Sequence, residues 1–397
     1  MSNLFNIIFS ISFNYKLNLV GDFYYSQMII IFTAIFFFLK KKFFINSLFE
    51  KKLYFIGFLW LLNQLISDLV NQTSFNDLMR GNAKIIIILL SFYVFFRITN
   101  VNYIKIINLL IIYIIVSILF DLINTVNFFD SWKFGFGTFI TILLILVNTT
   151  FKKNINFNKS ILFSIFLIGI YSIFLGTRYL FVFNTLFVIL IIFTQYFKFR
   201  LSKLLMFLII FLMPINYFYS QIIQSDLLQS RYSEKYTKQS SGLLGPLIGG
   251  RSEIIASTKA IYDSPILGHG SWSSNCEYTI FLHDKKISLN YTSKLNLDNC
   301  LIPSHSVIFG TWVQSGIFGF IFWIFILINI FITLNKIIFK DDLAHNKFKY
   351  LLIYLSIACI WDIIFSPLGG TRTIVLPLYI IILLNNSQKI KKNVLIK

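Results

Sequence analysis

The chain has 397 residues, of which 57% are hydrophobic and only 13% charged, with a formal net charge of +19. Soluble globular domains carry roughly a quarter charged residues, so this composition excludes that class and points to an integral membrane protein. The positive sum suggests nucleic-acid binding only until the charges are placed along the chain.

Mostly apolar runs recur throughout, and about 20 such residues are needed to cross a hydrocarbon core of roughly 30 Å. Twelve stand out, near residues 4–20, 23–40, 53–70, 83–98, 104–121, 134–150, 160–175, 179–197, 202–219, 314–335, 349–366 and 371–387. The expected fold is therefore all-α, with about twelve transmembrane helices in a single polytopic domain over 1–397. Asn14, Lys16 and Asn18 dilute the first run, which leaves an interfacial segment and a count of eleven as the alternative. The opening MSNLFNIIFSISF lacks the basic start and cleavage site of a signal peptide, so Met1 onward is read as mature protein.

One set of short connections holds 21 of the 35 basic residues and three acids, Glu50, Asp341 and Asp342, while the rest of the chain holds 14 and 13. By the positive-inside rule the basic set faces the cytoplasm, together with both termini. The net charge is then a topology signal with an attraction to anionic lipid, and nucleic acid is not an expected partner.

Between the ninth and tenth runs lies a long interruption, 221–312, placed by the same rule on the outer side. Ser252 and Glu253 offer a helix start, and Ile254, Ile255, Thr258, Ile261 and Tyr262 share one face before Pro265. This predicts an amphipathic helix over 252–263, on the membrane surface or over a cavity. YTIFL and ISLNYT around HDKK read as a β-hairpin over 278–292. Cys276 and Cys300 bracket it, and an oxidising outer compartment allows either a disulfide or two thiols.

Charged groups at membrane depth cost at least about 2.5 kcal/mol and call for a reason. Arg80 (DLMRGNAK), Arg178 (FLGTRYLF), Arg251 (GGRSE) and Arg372 (PLGGTRTIV) all fall at outer helix ends or in outer loops. A guanidinium suits phosphate oxygens. Snorkelling, or a structural pair such as Arg372 with Asp362, is the other reading. His305, in PSHSVIFGTW, is a candidate general base, ahead of His269 and His283, whereas His345 falls on the cytoplasmic side. No DxD pair, HExxH, nucleophile elbow or CxxC appears on the outer side, so the chemistry expected is metal-independent and needs no cofactor.

The order GRSEIIASTKAIYDSPILGHGSW, then PSHSVIFGTWVQSGIFGFIFW, resembles the O-antigen polymerase and O-antigen ligase family of envelope glycan enzymes. Pro265, Leu267, Gly268 and Gly270 match that family's P-x-L-G-x-G turn. His305 and Ser306 match its His dipeptide, with Ser in place of the commoner Asn, and Ser315, Gly316, Ile317 and Gly319 match its helix start. FLGTRYLF resembles its earlier Arg turn. The Cys-bracketed segment has no counterpart there.

The resemblance implies a membrane-embedded glycosyltransferase of the GT-C type in a bacterial inner membrane. Its implied donor is an undecaprenyl-pyrophosphate-linked oligosaccharide, with the lipid bilayer and a chain-length regulator protein as further partners. Arg178 and Arg251 would bind the pyrophosphate, Arg372 and Arg80 would assist, and His305 would take the proton of the attacking hydroxyl. The reading favoured is a polymerase of repeat units. A ligase to lipid A core and, from another class, a transporter or flippase are the alternatives.

Overall fold

The computed structural model describes residues 3–19, 21–40, 47–124, 132–151, 157–196, 251–291, 294–298, 300–339 and 347–394. The expected ninth span (202–219), the loop residues up to 250 and His345 lie outside these.

A short helix α1 (Asn3–Ile11) and a 3₁₀ turn lead into a two-stranded antiparallel ribbon, β1 (Lys16–Leu19) and β2 (Gly21–Tyr24), in register Lys16↔Tyr24. The first apolar run is thus not one helix over 4–20. Its polar residues decide the matter: a helix over 4–20 would carry Asn14, Lys16 and Asn18 into lipid, where a charged side chain is costly, whereas in the ribbon Lys16 pairs with Asp22 at 2.8 Å. Phe9 and Phe13 fold the short helix back onto the bundle, Phe13 lying 4.8 Å from Tyr113.

Ten helices then follow the expected apolar runs. They are α2 (Tyr25–Leu39), α3 (Leu48–Val70), α4 (Phe75–Val101), α5 (Tyr103–Asn124), α6 (Gly137–Phe151), α7 (Lys159–Phe174) and α8 (Arg178–Tyr196), with α11 (Val307–Phe339), α12 (Lys349–Phe365) and α13 (Arg372–Val394) after the loop. Five of them, α3, α4, α5, α8 and α11, are long and apolar enough to cross a membrane. Large apolar side chains such as Phe32, Phe55 and Ile123 stand exposed on the bundle exterior, as lipid solvation permits. The chain is a multi-pass, mainly helical membrane protein.

The interior is aromatic. Trp60 of α3 packs on Phe322 and Trp323 of α11, with ring centroids 4.9 and 6.1 Å away, and α12 is buried from Tyr350 to Cys359. At the end remote from the loop, Arg97 of α4 pairs with Glu50 of α3 at 2.7 Å, both almost fully buried.

The loop contributes two more helices, α9 (Glu253–Asp263) and α10 (Cys276–Ser288). The second replaces the expected hairpin over 278–292. Asn275 caps it by accepting from the Glu277 N–H, Glu277 lies in the first turn, and Lys285 and Lys286 lie in the last. Both charge placements suit the helix dipole, and Tyr278 and Leu282, one turn apart, share the buried face. In α9 the buried residues are Ala256, Ser257, Ala260 and Ile261. Tyr262, expected on that face, is instead 83% exposed.

Candidate functional site

The loop is fastened to the bundle before any reactive side chain is placed. Ala256, Ala260 and Ile261 of α9 pack on Tyr278 and Leu282 of α10 and on Ile302 and Val313. The Tyr278 hydroxyl donates to Asp263 (3.0 Å), which also pairs with Lys259 (2.6 Å). The Lys259 hydrogen bond holds the Asp263 carboxyl below its ordinary range, while burial and then Asp263 itself push the Tyr278 phenol up. Cys276 and Cys300 are joined as a disulfide with Cα atoms 4.7 Å apart. A short backbone pairing runs beside it, Asn275 N–H to the Cys300 carbonyl (2.8 Å) and Ile302 N–H to Ser273 (3.1 Å). Ser257 of α9 donates to the Pro303 carbonyl at 2.7 Å. The contacts at Cys300, Ile302 and Pro303 all fall within five residues of His305.

A second fastening explains the glycine-rich motifs. α11 is broken at Ser315 and Gly316, the latter at φ 60°, ψ −155°, a region open essentially to glycine alone. The break frees carbonyls that a helix would use internally, and the loop takes them: His269 N–H donates to Val313 (2.8 Å), Gly270 N–H to Gln314 (3.0 Å), and Ile317 N–H returns to Ile266 (3.2 Å). A Cβ on Gly316 would strike the Ile266 carbonyl. Gly268 adopts φ 77° against the same backbone.

Helix α3 completes this lock. Asp68, 1% exposed, accepts from the backbone N–H and hydroxyl of Ser271, from Gln64 (3.2 Å) and from Asn82 (2.9 Å). Asn63 donates to the carbonyls of Ile266 and Ser315, Ser67 to that of Gln314, and Trp60 to the Ser315 hydroxyl (2.7 Å). Lys84 of α4 donates to the Gln314 side chain at 2.9 Å. The leading piece of α11, Val307 to Gln314, is thus held through the loop and α3 as well as through its own helix.

That piece carries His305 and Ser306 at its head. The Ser306 carbonyl accepts from the Gly310 N–H (2.8 Å) and its hydroxyl accepts from the Phe309 N–H (3.3 Å), the N-cap arrangement. The same hydroxyl reaches the Ile363 carbonyl of α12 (3.4 Å). His305 itself is exposed, and no hydrogen bond or ion pair among the described residues engages its ring.

The last turn of α12, Trp361 to Phe365, meets two of the four arginines, and the start of α8 at Arg178 comes near it through Tyr179. Arg251 stands over the Phe365 ring at 5.9 Å. Its half-burial opposes the charged form, which Glu253 supports. Arg372 pairs with Asp362 (3.5 Å) and donates to the Pro367 carbonyl (2.8 Å), so the structural reading of this arginine is the one observed. Arg178 opens α8 beside Tyr179, whose ring lies 6.5 Å from Trp361. Its position follows from the preceding turn: Gly176, at φ 67°, donates to the Ile173 carbonyl and Thr177 N–H to Ser172, a Schellman stop that lets the next helix begin at Arg178.

Arg80 is placed differently. Its guanidinium covers the Trp272 ring at 4.0 Å and pairs with Asp77 at 3.3 Å, and it packs against Gly21 of the ribbon. Of the other histidines, His269 donates through Nε2 to the Ala260 carbonyl (2.8 Å) and His283 faces Asp284. Sequence reasoning missed Asp68, Gln64, Asn63 and Ser271. The signal was present, since Asn63, Ser67 and Asn71, and Gln64 and Asp68, recur at four-residue spacing along an apolar helix.

The assembly is that of a multi-pass membrane protein with a polar, arginine-bearing cluster at the end where the segment carrying α9 and α10 docks. Residues 161–324 match the O-Antigen ligase family model, in accord with the family resemblance seen in the motifs. The matched segment runs from α7 through the broken half of α11, and so contains Arg178, Arg251, His305 and the glycine lock, while Arg80 and Arg372 fall outside it. No curated protein matches the chain.

Proposed function

We propose that this protein is a glycosyltransferase that joins oligosaccharide repeat units of O-antigen or capsule, drawn from an undecaprenyl pyrophosphate carrier, on the periplasmic side of a bacterial inner membrane. The observation that carries this reading is that Arg251 and the head of α11, which bears His305, meet one turn of α12, with the start of α8 at Arg178 near the same turn through Tyr179, all three residues lying within the family-matched segment.

In this reaction the acceptor hydroxyl oxygen attacks the anomeric carbon of the donor sugar. The bond from that carbon to the phosphate oxygen breaks, and lipid pyrophosphate leaves with the electron pair. Arg178 and Arg251 hold the pyrophosphate and stabilise the charge that grows on it. His305, whose ring has no competing partner among the described residues, accepts the hydroxyl proton. Arg372 and Arg80 are committed to Asp362 and to Trp272 with Asp77, so their contribution is to shape the site. The leaving group is already activated, and the step as proposed uses no metal.

Deletion of the gene with the envelope glycan resolved on a gel tests the reading. A single repeat unit left on the carrier supports a polymerase. Complete loss of attached glycan supports the second reading, an O-antigen ligase acting on lipid A core. Unaltered glycan removes both. Replacing His305 by Ala should lower transfer by about 10²–10⁴-fold at normal protein level, and full activity in that variant would end the proton-acceptor assignment.

A further inference from the structure

The turn that closes α9 leaves its largest side chains unused by the protein. Tyr262 is 83% and Ile266 64% exposed, with Pro265 between them also exposed. These residues are not a free tip. The Ile266 carbonyl accepts from Ile317 N–H at the break in α11 (3.2 Å), and the Pro265 carbonyl accepts from the Trp312 indole (2.9 Å). The Trp312 ring in turn lies 3.9 Å from that of Phe320. The exposed pair is therefore rigidly placed relative to a membrane-spanning helix.

The length of that helix sets its depth. From Ile317, just past the break, to Lys336 in the last turn, 20 residues at 1.5 Å each span about 30 Å, the thickness of a hydrocarbon core. Lys336 then lies at one boundary and Gly316 at the other, and Val307 to Gln314 rises about 12 Å into the headgroup zone. Ile266, bonded at Ile317, lies in the boundary plane, and Tyr262 and Trp312 lie just above it. Further along α11, Ile321 and Ile328 are likewise exposed apolar side chains, as on a lipid-facing helix. Tyrosine and tryptophan are the residues enriched at that level.

We propose that the Tyr262–Pro265–Ile266 turn is a lipid-contacting wedge seated at the headgroup–acyl boundary, anchoring the loop to the bilayer as well as to the bundle. The occupant is the bilayer itself, and the inference does not depend on the reaction proposed above.

The three native cysteines are a disulfide and the buried Cys359, so one introduced thiol can be labelled selectively. Tyr262→Cys, Ile266→Cys and, as a water-exposed control on α10, Asp284→Cys (69% side-chain exposure) are coupled to an environment-sensitive fluorophore. The full chain is then reconstituted in phosphatidylcholine vesicles with or without shallow nitroxide lipid. Labels at 262 and 266 should emit at shorter wavelength and be quenched at least about twofold more strongly than the label at 284. Emission and quenching at 262 and 266 equal to those at 284 would overturn the proposal. So would a blue shift that appears only at high protein-to-lipid ratio, because that marks a second copy of the chain as the occupant.

Discussion

Asp68 is the residue on which the loop's attachment to the membrane helices converges, and Asp68→Asn is the substitution that examines it. Four donor groups aim at this carboxylate, from Ser271 (backbone and hydroxyl), Gln64 and Asn82. An asparagine keeps one acceptor oxygen and turns an NH₂ toward two of those donors. Gln64 can fall back on the Ser271 hydroxyl (2.9 Å) and Asn82 on the Leu78 carbonyl (2.9 Å), so these losses are partial. The Ser271 contacts have no such substitute. Hydrogen bonds to a charged group contribute about 1.5–3 kcal/mol each, which puts the net cost at roughly 2–4 kcal/mol once the fallback bonds are allowed for. That should lower the unfolding midpoint in detergent by roughly 2–5 °C for a chain of this size, with increased amide exchange at 266–271 and little change at the Arg97–Glu50 end. A double-mutant cycle with Ser271→Ala should show coupling of about 1 kcal/mol or more. A midpoint within about 1 °C of the parent, outside the scale expected for losing such bonds, would refute the view that this carboxylate holds the loop.

Three further outcomes follow from the same geometry. Gly316→Ala forces a Cβ into the Ile266 carbonyl and a non-glycine residue into a conformation costing about 1–3 kcal/mol; hydrogen exchange at the His269 and Gly270 amides should rise, and unchanged exchange there would contradict the break as described. Cys276→Ser with Cys300→Ser releases a loop with sequence separation 24, worth about 3 kcal/mol in chain entropy, so limited proteolysis between 276 and 303 should accelerate while the transmembrane helices stay resistant. The depressed Asp263 carboxyl stabilises the α9–α10 contact fully above its unfolded pKa and loses that contribution as pH falls through the folded value. Protection of the α9 and α10 amides, taken relative to intrinsic exchange at each pH, should accordingly be flat from pH 7 to 5 and fall below about pH 4, and Asp263→Asn should remove that fall.

How much of this was readable from residues alone varies with the physics involved. Apolar length marked ten helices near their observed places, because lipid leaves a spanning backbone few alternatives. The first run failed where that rule weakens: Lys16, Asn18 and Asp22 pull the chain out of the helix and into a ribbon. The hairpin expectation at 278–292 weighted Tyr, Thr and Ile as strand formers and overlooked the Asn275 cap with Glu277 and Lys285 at opposite ends. The position of α9 was legible but not its buried face, since Ala256 and Ala260 face the partner helix and a small residue carries little hydrophobic signal. Arg178, Arg251 and His305 were picked out by residue type and motif, and their roles belong to the proposal above. The lock at Asp68 was not, because its partners come from three segments up to about 250 residues apart in sequence, and only the fold brings them together.

The shared lock between α3 and the loop constrains how such proteins can be recombined. Each half of it is incomplete alone: residues 63–71 present donors and one carboxylate, and residues 266–271 with 313–317 present the groups that answer them. A chimera that grafts the loop of a relative would separate these halves if its boundaries followed the loop. The unit of exchange is the loop together with the end of α3 and the first third of α11, and grafts cut at those boundaries are the ones expected to fold.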